Sequence, residues 1–447
     1  MQTLDMTQGK PSALLLKFAF PMMLSMLLQQ CYNLCDSLLV GRFLGDVALT
    51  ATGSAGNFSW IAQNLVCCAI YGYGVALSQR FGAKDMDGYR RYFAGAVVLS
   101  VFWGLAVTVV GTTFAETFLS LLNTPEALLA GAAKYLRVLW TGFLSLALMN
   151  LFSTALMSMG DSKTPLVALA ISSAVNIVLD VVFLAWLHMG IGGAALATVI
   201  AQICAAAWNL RALILRGNAL PGLQDFRLRF PVMKELLRLS LPQMLSSAVI
   251  NSGDLLVQSI VNSFGIAFVM GINAARRYFS MLNIVGYGLE CSVATYVGQN
   301  WGAERTDRIR AGTRFAVTMG FVSSAATGLI VCLLAEPMIR FLLTDSPAET
   351  VRFGVEALRT LALFLPGLYL LCEFRAAIQG MGNVVYPMLS GFSELAMRIT
   401  AVLVLPTVLG QAGLYFVDPC AWVPTMVLMV IGYRSVLHRR KPASSPE

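Results

Sequence analysis

QRFGAKDMDGYRR (residues 79–91) and QNWGAERTDRIRA (residues 299–311) are one turn written twice. Set against each other at an offset of 220, they match at Gln79/Gln299, Gly82/Gly302, Ala83/Ala303, Asp87/Asp307 and Arg90/Arg310. Random composition gives about one identity in such a window. The offset persists to within two residues elsewhere, pairing Pro21 with Pro242, Pro165 with Pro387, and Gly190 and Gly193 with Gly410 and Gly413. The chain is a tandem duplication, and its fold has to be built from two copies of one unit.

What surrounds the repeated turn is apolar. Of 447 residues 57% are hydrophobic and 12% charged, and the mean hydropathy is +0.72, against roughly 25% charged residues in a soluble domain. Apolar runs begin near Leu14, Leu49, Ala94, Leu128, Pro165 and Gly192 in the first half, and near Leu239, Gly271, Thr313, Val355, Pro387 and Gly413 in the second. Each approaches the ~20 residues that cross ~30 Å of hydrocarbon. These runs predict an all-α polytopic membrane protein with twelve transmembrane helices in two six-helix bundles. Six is an even number, so both halves enter the membrane in the same orientation and are related by a pseudo-two-fold axis along the membrane normal. Parallel repeats of this kind build transporters with the substrate site between the halves.

Charge places the bundles. Arg80, Lys84, Arg90 and Arg91 follow the second span; Arg216, Arg227, Arg229, Lys234 and Arg238 lie between the sixth and seventh; Arg305, Arg308, Arg310 and Arg314 follow the eighth; Arg439, Arg440 and Lys441 close the chain. All fall on one side, which the positive-inside rule makes the cytoplasm, with both termini there. On the other side Glu336, Asp345 and Glu349 offset Arg340 and Arg352. The net charge of +8 is thereby a topology signal and does not point to a nucleic-acid partner. The polar N-terminus leads into a first span containing Asp36, without the pattern of a cleavable signal peptide, and is expected to be retained. The polar, Pro- and Gly-bearing segment LRGNALPGLQDFRLRFP (215–231) reads as a cytoplasmic linker, giving a lobe over 1–214, a linker over 215–233, and a second lobe with a basic tail over 234–447.

Enzyme chemistry finds no support. The sequence contains no Gly-x-x-x-x-Gly-Lys phosphate loop, which also argues against an ATP-driven pump. The nine cysteines fall mainly inside apolar spans, where Cys acts as a small hydrophobe rather than a disulfide or zinc ligand. His188 and His438 lie in a short turn and in the tail, both read as solvated.

The polar residues inside the spans carry the functional signal. A charge at the bilayer centre costs ~2.5–3.5 kcal/mol, so intramembrane carboxylates face an interior cavity and serve a function there. Asp36 and Asp180 are the first candidates, with Asn176 one turn before Asp180 on the same helical face. Two carboxylates in a poorly hydrated pocket repel each other, and a proton or a sodium ion relieves that repulsion; carboxylate, amide and hydroxyl oxygens are all hard ligands. The competing reading is a hydrogen-bonded staple worth roughly 1 kcal/mol. A staple needs only one donor and one acceptor, whereas two formal negative charges lie here with no basic residue deep in the first, fifth or sixth span.

With Pro21 and Asp36 in the first span, DSLLVGRFLG running out of it, and Gln-x-x-Gly-Ala repeated after the second and eighth spans, the whole chain resembles the multidrug and toxic compound extrusion (MATE) family of secondary transporters. The resemblance implies two lobes that alternate between outward-open and inward-open states, exporting organic cations, drugs or amphiphilic metabolites in exchange for protons or sodium ions. It implies a multi-pass protein of the plasma (inner) membrane, with no cofactor beyond the coupling ion and a small cationic or amphiphilic substrate as partner; a monomer is expected. Many members hold the ion in the N-lobe on an Asp of the first span, an Asn and Asp four apart on the fifth and a Thr on the sixth. The matching positions here are Asp36, Asn176, Asp180 and Thr198, which would also be the sodium ligands. A bend of the first helix at its proline is a proposed family motion, and a fixed kink at Pro21 is the alternative. The rival function is flipping of a lipid or lipid-linked oligosaccharide within the same superfamily.

The second half differs from the first. At the Pro165/Pro387 offset Arg398 aligns with Asn176, and at the Gly190/Gly410 offset Asp418 aligns with Thr198. Glu394, Arg398 and Asp418 are expected to form a neutralised, structural cluster. Asp254 and Glu373 lie in the seventh and tenth spans, where other members carry acidic coupling residues, but do not match that pattern; with Arg375 they are candidates for second-lobe coupling or for salt-bridge pairing. Arg276, Arg277 and Glu290 of the eighth span are candidates for substrate contact or for the outer vestibule.

Overall fold

The computed structural model describes residues 4–121, 124–217, 219–227, 229–344 and 346–439. Asp345, Arg440 and Lys441, used above in reading charge, lie outside the described residues, as do the ends of the expected lobes (1–3 and 440–447) and the side chains of Ser54, Asn57, Leu121 and Ala127.

All twelve expected spans form helix. The elements are α1 (Pro11–Gly82), α2 (Met86–Leu121), α3 (Glu126–Thr141), α4 (Phe143–Ser158), α5 (Lys163–Asp180), a π-helical turn (Val181–Trp186), α6 (Ile191–Ile214), α7 (Phe230–Val261), α8 (Ile266–Gly302), α9 (Thr306–Leu342), α10 (Ala348–Gly380), α11 (Val385–Leu409), a 3-10 turn (Gly410–Phe416) and α12 (Val417–Arg439). The first two spans are fused in α1, whose helical dihedrals break at Gly45 (φ 81°) and hold through Pro21. The fourth span is α3 and α4 together, bent by 47° at Gly142. Helix α8 carries Arg276, Arg277 and Glu290, yet its 37 residues are long enough to span at ~1.5 Å per residue.

The chain divides into two compact units: the first comprises Met1–Asp5 and Leu24–Ser240, the second Met6–Met23 and Leu241–Glu447. The start of α1 thus packs in the second unit and the start of α7 in the first.

The duplication is visible in the backbone. Lys84 (φ 58°) and Glu304 (φ 61°) take the left-handed conformation at matching places after the Gly-Ala of the repeated turn, and Gly160 (φ 84°) and Gly382 (φ 76°) do so before α5 and α11. After those glycines, Oδ1 of Asp161 accepts the N–H groups of Lys163 and Thr164, both at 3.0 Å. In the second unit, Oδ1 of Asn383 accepts those of Val385 and Tyr386 at 3.1 and 3.3 Å. Each repeat therefore starts its fifth helix with the same side-chain cap. The repeated turn itself has acquired a task in the second unit: Gln299 Oε1 accepts the Met6 N–H at 2.9 Å, while Asn300 Nδ2 donates to the Met6 carbonyl at 3.0 Å and Arg308 Nη1 to that of Gly9 at 2.9 Å.

Packing relies on small residues against large rings or backbone, the usual way to bring apolar helices together in lipid. In the second unit α10 lies against α8, α9 and α12. In the first unit the Trp140 ring stacks on Phe58 at 5.5 Å between centroids and donates Nε1 to Ser59 Oγ at 2.8 Å. A Cβ at Gly111 of α2 would fall inside that indole. Gly111→Ala is expected to destabilise the protein by about 1–3 kcal/mol through overpacking, read as a lower unfolding midpoint of the purified protein; an unchanged midpoint would show that Trp140 has room to move.

Candidate functional site: a carboxyl pair on α1 and α5

Helix α5 is apolar on most of its surface and presents Asn176 and Asp180 one turn apart, both fully buried. Asp180 is the last residue before the π-helical turn, where the Leu187 N–H reaches back to the Val182 carbonyl at 2.9 Å. Such turns leave backbone irregular, often beside functional groups. Asp36 comes from α1, and its carboxyl lies within hydrogen-bonding reach of that of Asp180. Thr198 stands on α6, its hydroxyl 3.2 Å from the Ala194 carbonyl and 3.5 Å from the Tyr32 hydroxyl. The four residues expected together are together, in the first unit.

The amide of Asn176 closes the cluster. In the orientation that satisfies both of its ends, it donates to Asp180 Oδ2 at 2.9 Å and accepts the Thr198 backbone N–H at 3.2 Å. Turned over, it donates to Thr198 Oγ1 at 3.4 Å and presents its oxygen to Asp180. That second orientation sets acceptor against acceptor unless a proton or a cation sits between them. One oxygen of each carboxyl, Asp36 Oδ1 and Asp180 Oδ1, is buried without a hydrogen-bond partner. Among the described residues no basic side chain pairs with either. The arrangement is an anionic pocket with no compensating positive charge among the described residues.

Two tyrosines join it that sequence reading did not find. Tyr32 and Tyr135 lie in the electrostatic neighbourhood of Asp36 and Asp180, and Tyr135 of α3 is buried. Tyr32 was findable, since it precedes Asp36 by four residues on one helical face. Tyr135 gave no signal, because only the bundle brings α3 to this place.

The second unit is arranged differently from the expectation. Glu394 does not share a cluster with Arg398 and Asp418; it pairs with Arg375 of α10. Arg398 instead passes beside Gly253, and its Nη1 lies 2.9 Å from Asp254 Oδ1 while its Nε lies 3.2 Å from Asp418 Oδ1. Sequence spacing placed Glu394 next to Arg398, but the neighbouring helices supply better-positioned partners for both. Asp254 and Arg375 are thereby paired. Glu373 is fully buried with neither carboxyl oxygen hydrogen-bonded, close to Glu290. Arg276 donates to Gln258 Oε1 at 2.9 Å and stands 3.8 Å from Asp418, whereas Arg277 is exposed.

Comparison with known proteins agrees with this architecture. The MatE family pattern matches residues 21–182 and again 242–404, once per repeat. The Bacillus subtilis "Probable multidrug resistance protein YpnP" is 30% identical over 370 residues, covering 82% of this chain and 82% of its own. The Thermotoga maritima "Probable multidrug resistance protein NorM" is 24% identical over 390 residues, covering 85% and 82%. A crystal structure of MATE in the bent conformation superposes with a TM-score of 0.90 at 22% identity, over 98% of this chain and 97% of that one.

Proposed function

Because the chain belongs to the MatE family of multidrug efflux transporters, multi-pass membrane proteins and not enzymes, we propose that it works as a secondary antiporter. In this reading it exports small cationic or amphiphilic compounds from the cell by alternating access, driven by a proton or sodium ion that enters through the pocket of Asp36, Asn176, Asp180 and Thr198. The observation that carries the reading is the pair of carboxyls, each with a buried, unpartnered oxygen and without a basic partner among the described residues. A pocket of that kind is costly when empty and is relieved by one cation or proton. Thr198 and the turnable amide of Asn176 supply the further oxygens that a hard ion requires. No cofactor enters the cycle, both termini stay in the cytoplasm, and one chain suffices for transport.

The ion is the quantity to vary first. Everted membrane vesicles holding a proton or a sodium gradient are expected to lose that gradient when a transported dye is added, and to lose it for one ion only. Vesicles that ignore a broad panel of cationic dyes while flipping a lipid-linked sugar would overturn the antiporter reading.

A further inference from the structure

The duplication allows the two units to be compared position by position. Arg398 stands where α5 carries Asn176, and Asp418 where α6 carries Thr198; α7 contributes Asp254, about one turn before Val257, the position that aligns with Asp36 at the Pro21/Pro242 offset. In the first unit the two carboxyls keep unpartnered oxygens. In the second, Asp418 Oδ1 likewise has no hydrogen bond, and the difference is a guanidinium within ion-pair distance of both carboxylates. The Arg398 side chain is only 7% exposed, against 19% for Asp418 and 51% for Asp254. It is also anchored to backbone, Nη1 donating to the Ile250 carbonyl at 3.3 Å. A guanidinium is charged at every accessible pH and its planar fork suits two carboxylates. Arg276, the other cation near Asp418, is 3.8 Å away and engaged with Gln258.

We propose that Asp254 and Asp418 form a monovalent-cation site of the second unit whose cation is the tethered guanidinium of Arg398. This site then carries its positive charge built in and takes up no free ion. Removing the head group opens the site to a free cation of the guanidinium class, which enters past half-exposed Asp254. The inference stands apart from the role given to Asp36 and Asp180, which do not enter its test.

The test is chemical rescue of the full-length protein, purified in detergent without any gradient. R398A is expected to unfold at a lower temperature than the wild type and to recover about 3 °C saturably on addition of guanidinium chloride at millimolar concentration. Sodium chloride at equal ionic strength is expected to do less. The wild type, and the triple variant R398A/D254N/D418N, are expected to show no saturable response. A triple variant that responds as R398A does, or an R398A that does not respond, overturns the proposal. Where R398A is lost from the membrane, the triple variant is expected to be recovered, since the loss comes from two uncompensated carboxylates; a triple variant lost to the same degree overturns it equally.

Discussion

Asp36→Asn and Asp180→Asn are each expected to reach the membrane at wild-type yield and to export nothing above the level of vesicles without the protein. The substitutions keep shape and hydrogen-bonding capacity and remove one formal charge, so the fold has little reason to respond. Neither carboxyl holds an ion pair among the described residues, and Asp180 accepts from Asn176 at 2.9 Å, a bond that an amide at position 180 can also accept. Coupling does have a reason to respond. With one carboxylate gone the mutual repulsion that an entering proton or cation relieves is gone too, and the link between ion and conformation is lost even if the two states still interconvert. The discriminating measurement is export driven by an imposed ion gradient, set beside binding of the same dye at equilibrium. Binding is expected to persist while gradient-driven export disappears. If both variants export at the wild-type rate, the cluster is a staple between α1, α5 and α6. Thr198→Ala is expected to be milder, since the Thr198 backbone N–H, which the Asn176 amide oxygen accepts at 3.2 Å, remains.

The legible parts of this protein were those fixed by composition and by register. Apolar length set the number of spans, and a repeat at a constant offset set the number of units. The spacing of Asn176 and Asp180 put two polar groups on one face before any helix was seen. What was not legible depended on the third dimension. Glu394 and Arg398 have the i, i+4 spacing of a helical ion pair, but that spacing is worth only a few tenths of a kcal/mol. Arg375 and Asp254, supplied by other helices, outcompete it once the site is buried. Nor does sequence show that α1 and α7 each begin in the unit to which the rest of the helix does not belong, because hydrophobic pattern is indifferent to which bundle covers it. Asp161 is the clearest omission. The run Gly-Asp-Ser-Lys-Thr-Pro (160–165) is a helix-start signal that escapes notice when attention is on carboxylates inside the spans.

That residue supports the second large expected effect. Asp161 is buried at the start of α5, accepting the Lys163 and Thr164 N–H groups at 3.0 Å and the Thr164 hydroxyl. It also pairs with Arg216, just beyond the end of α6. One carboxylate therefore ties the helix of Asn176 and Asp180 to the helix of Thr198, about 15 residues from the site, or ~22 Å along α5. Asp161→Ala removes the cap, worth about 0.5–2 kcal/mol, and leaves a largely buried guanidinium unpaired, which costs about 3–5 kcal/mol in soluble proteins. The variant is expected to lose most of its yield or to unfold well below the wild type. Asp161→Asn separates the cap from the rest: its amide oxygen can still cap, as Asn383 does at the matching place in the second unit, so the stability it loses reports the ion pair together with the Thr164 hydroxyl bond, both made by Oδ2. Adding Arg216→Ala to Asp161→Ala is expected to restore part of the midpoint, because the stranded charge goes while the missing cap stays. If the double variant is no better than Asp161→Ala, the cap rather than the charge holds α5 and α6 in register, and the site on them would depend on a single pair of backbone hydrogen bonds.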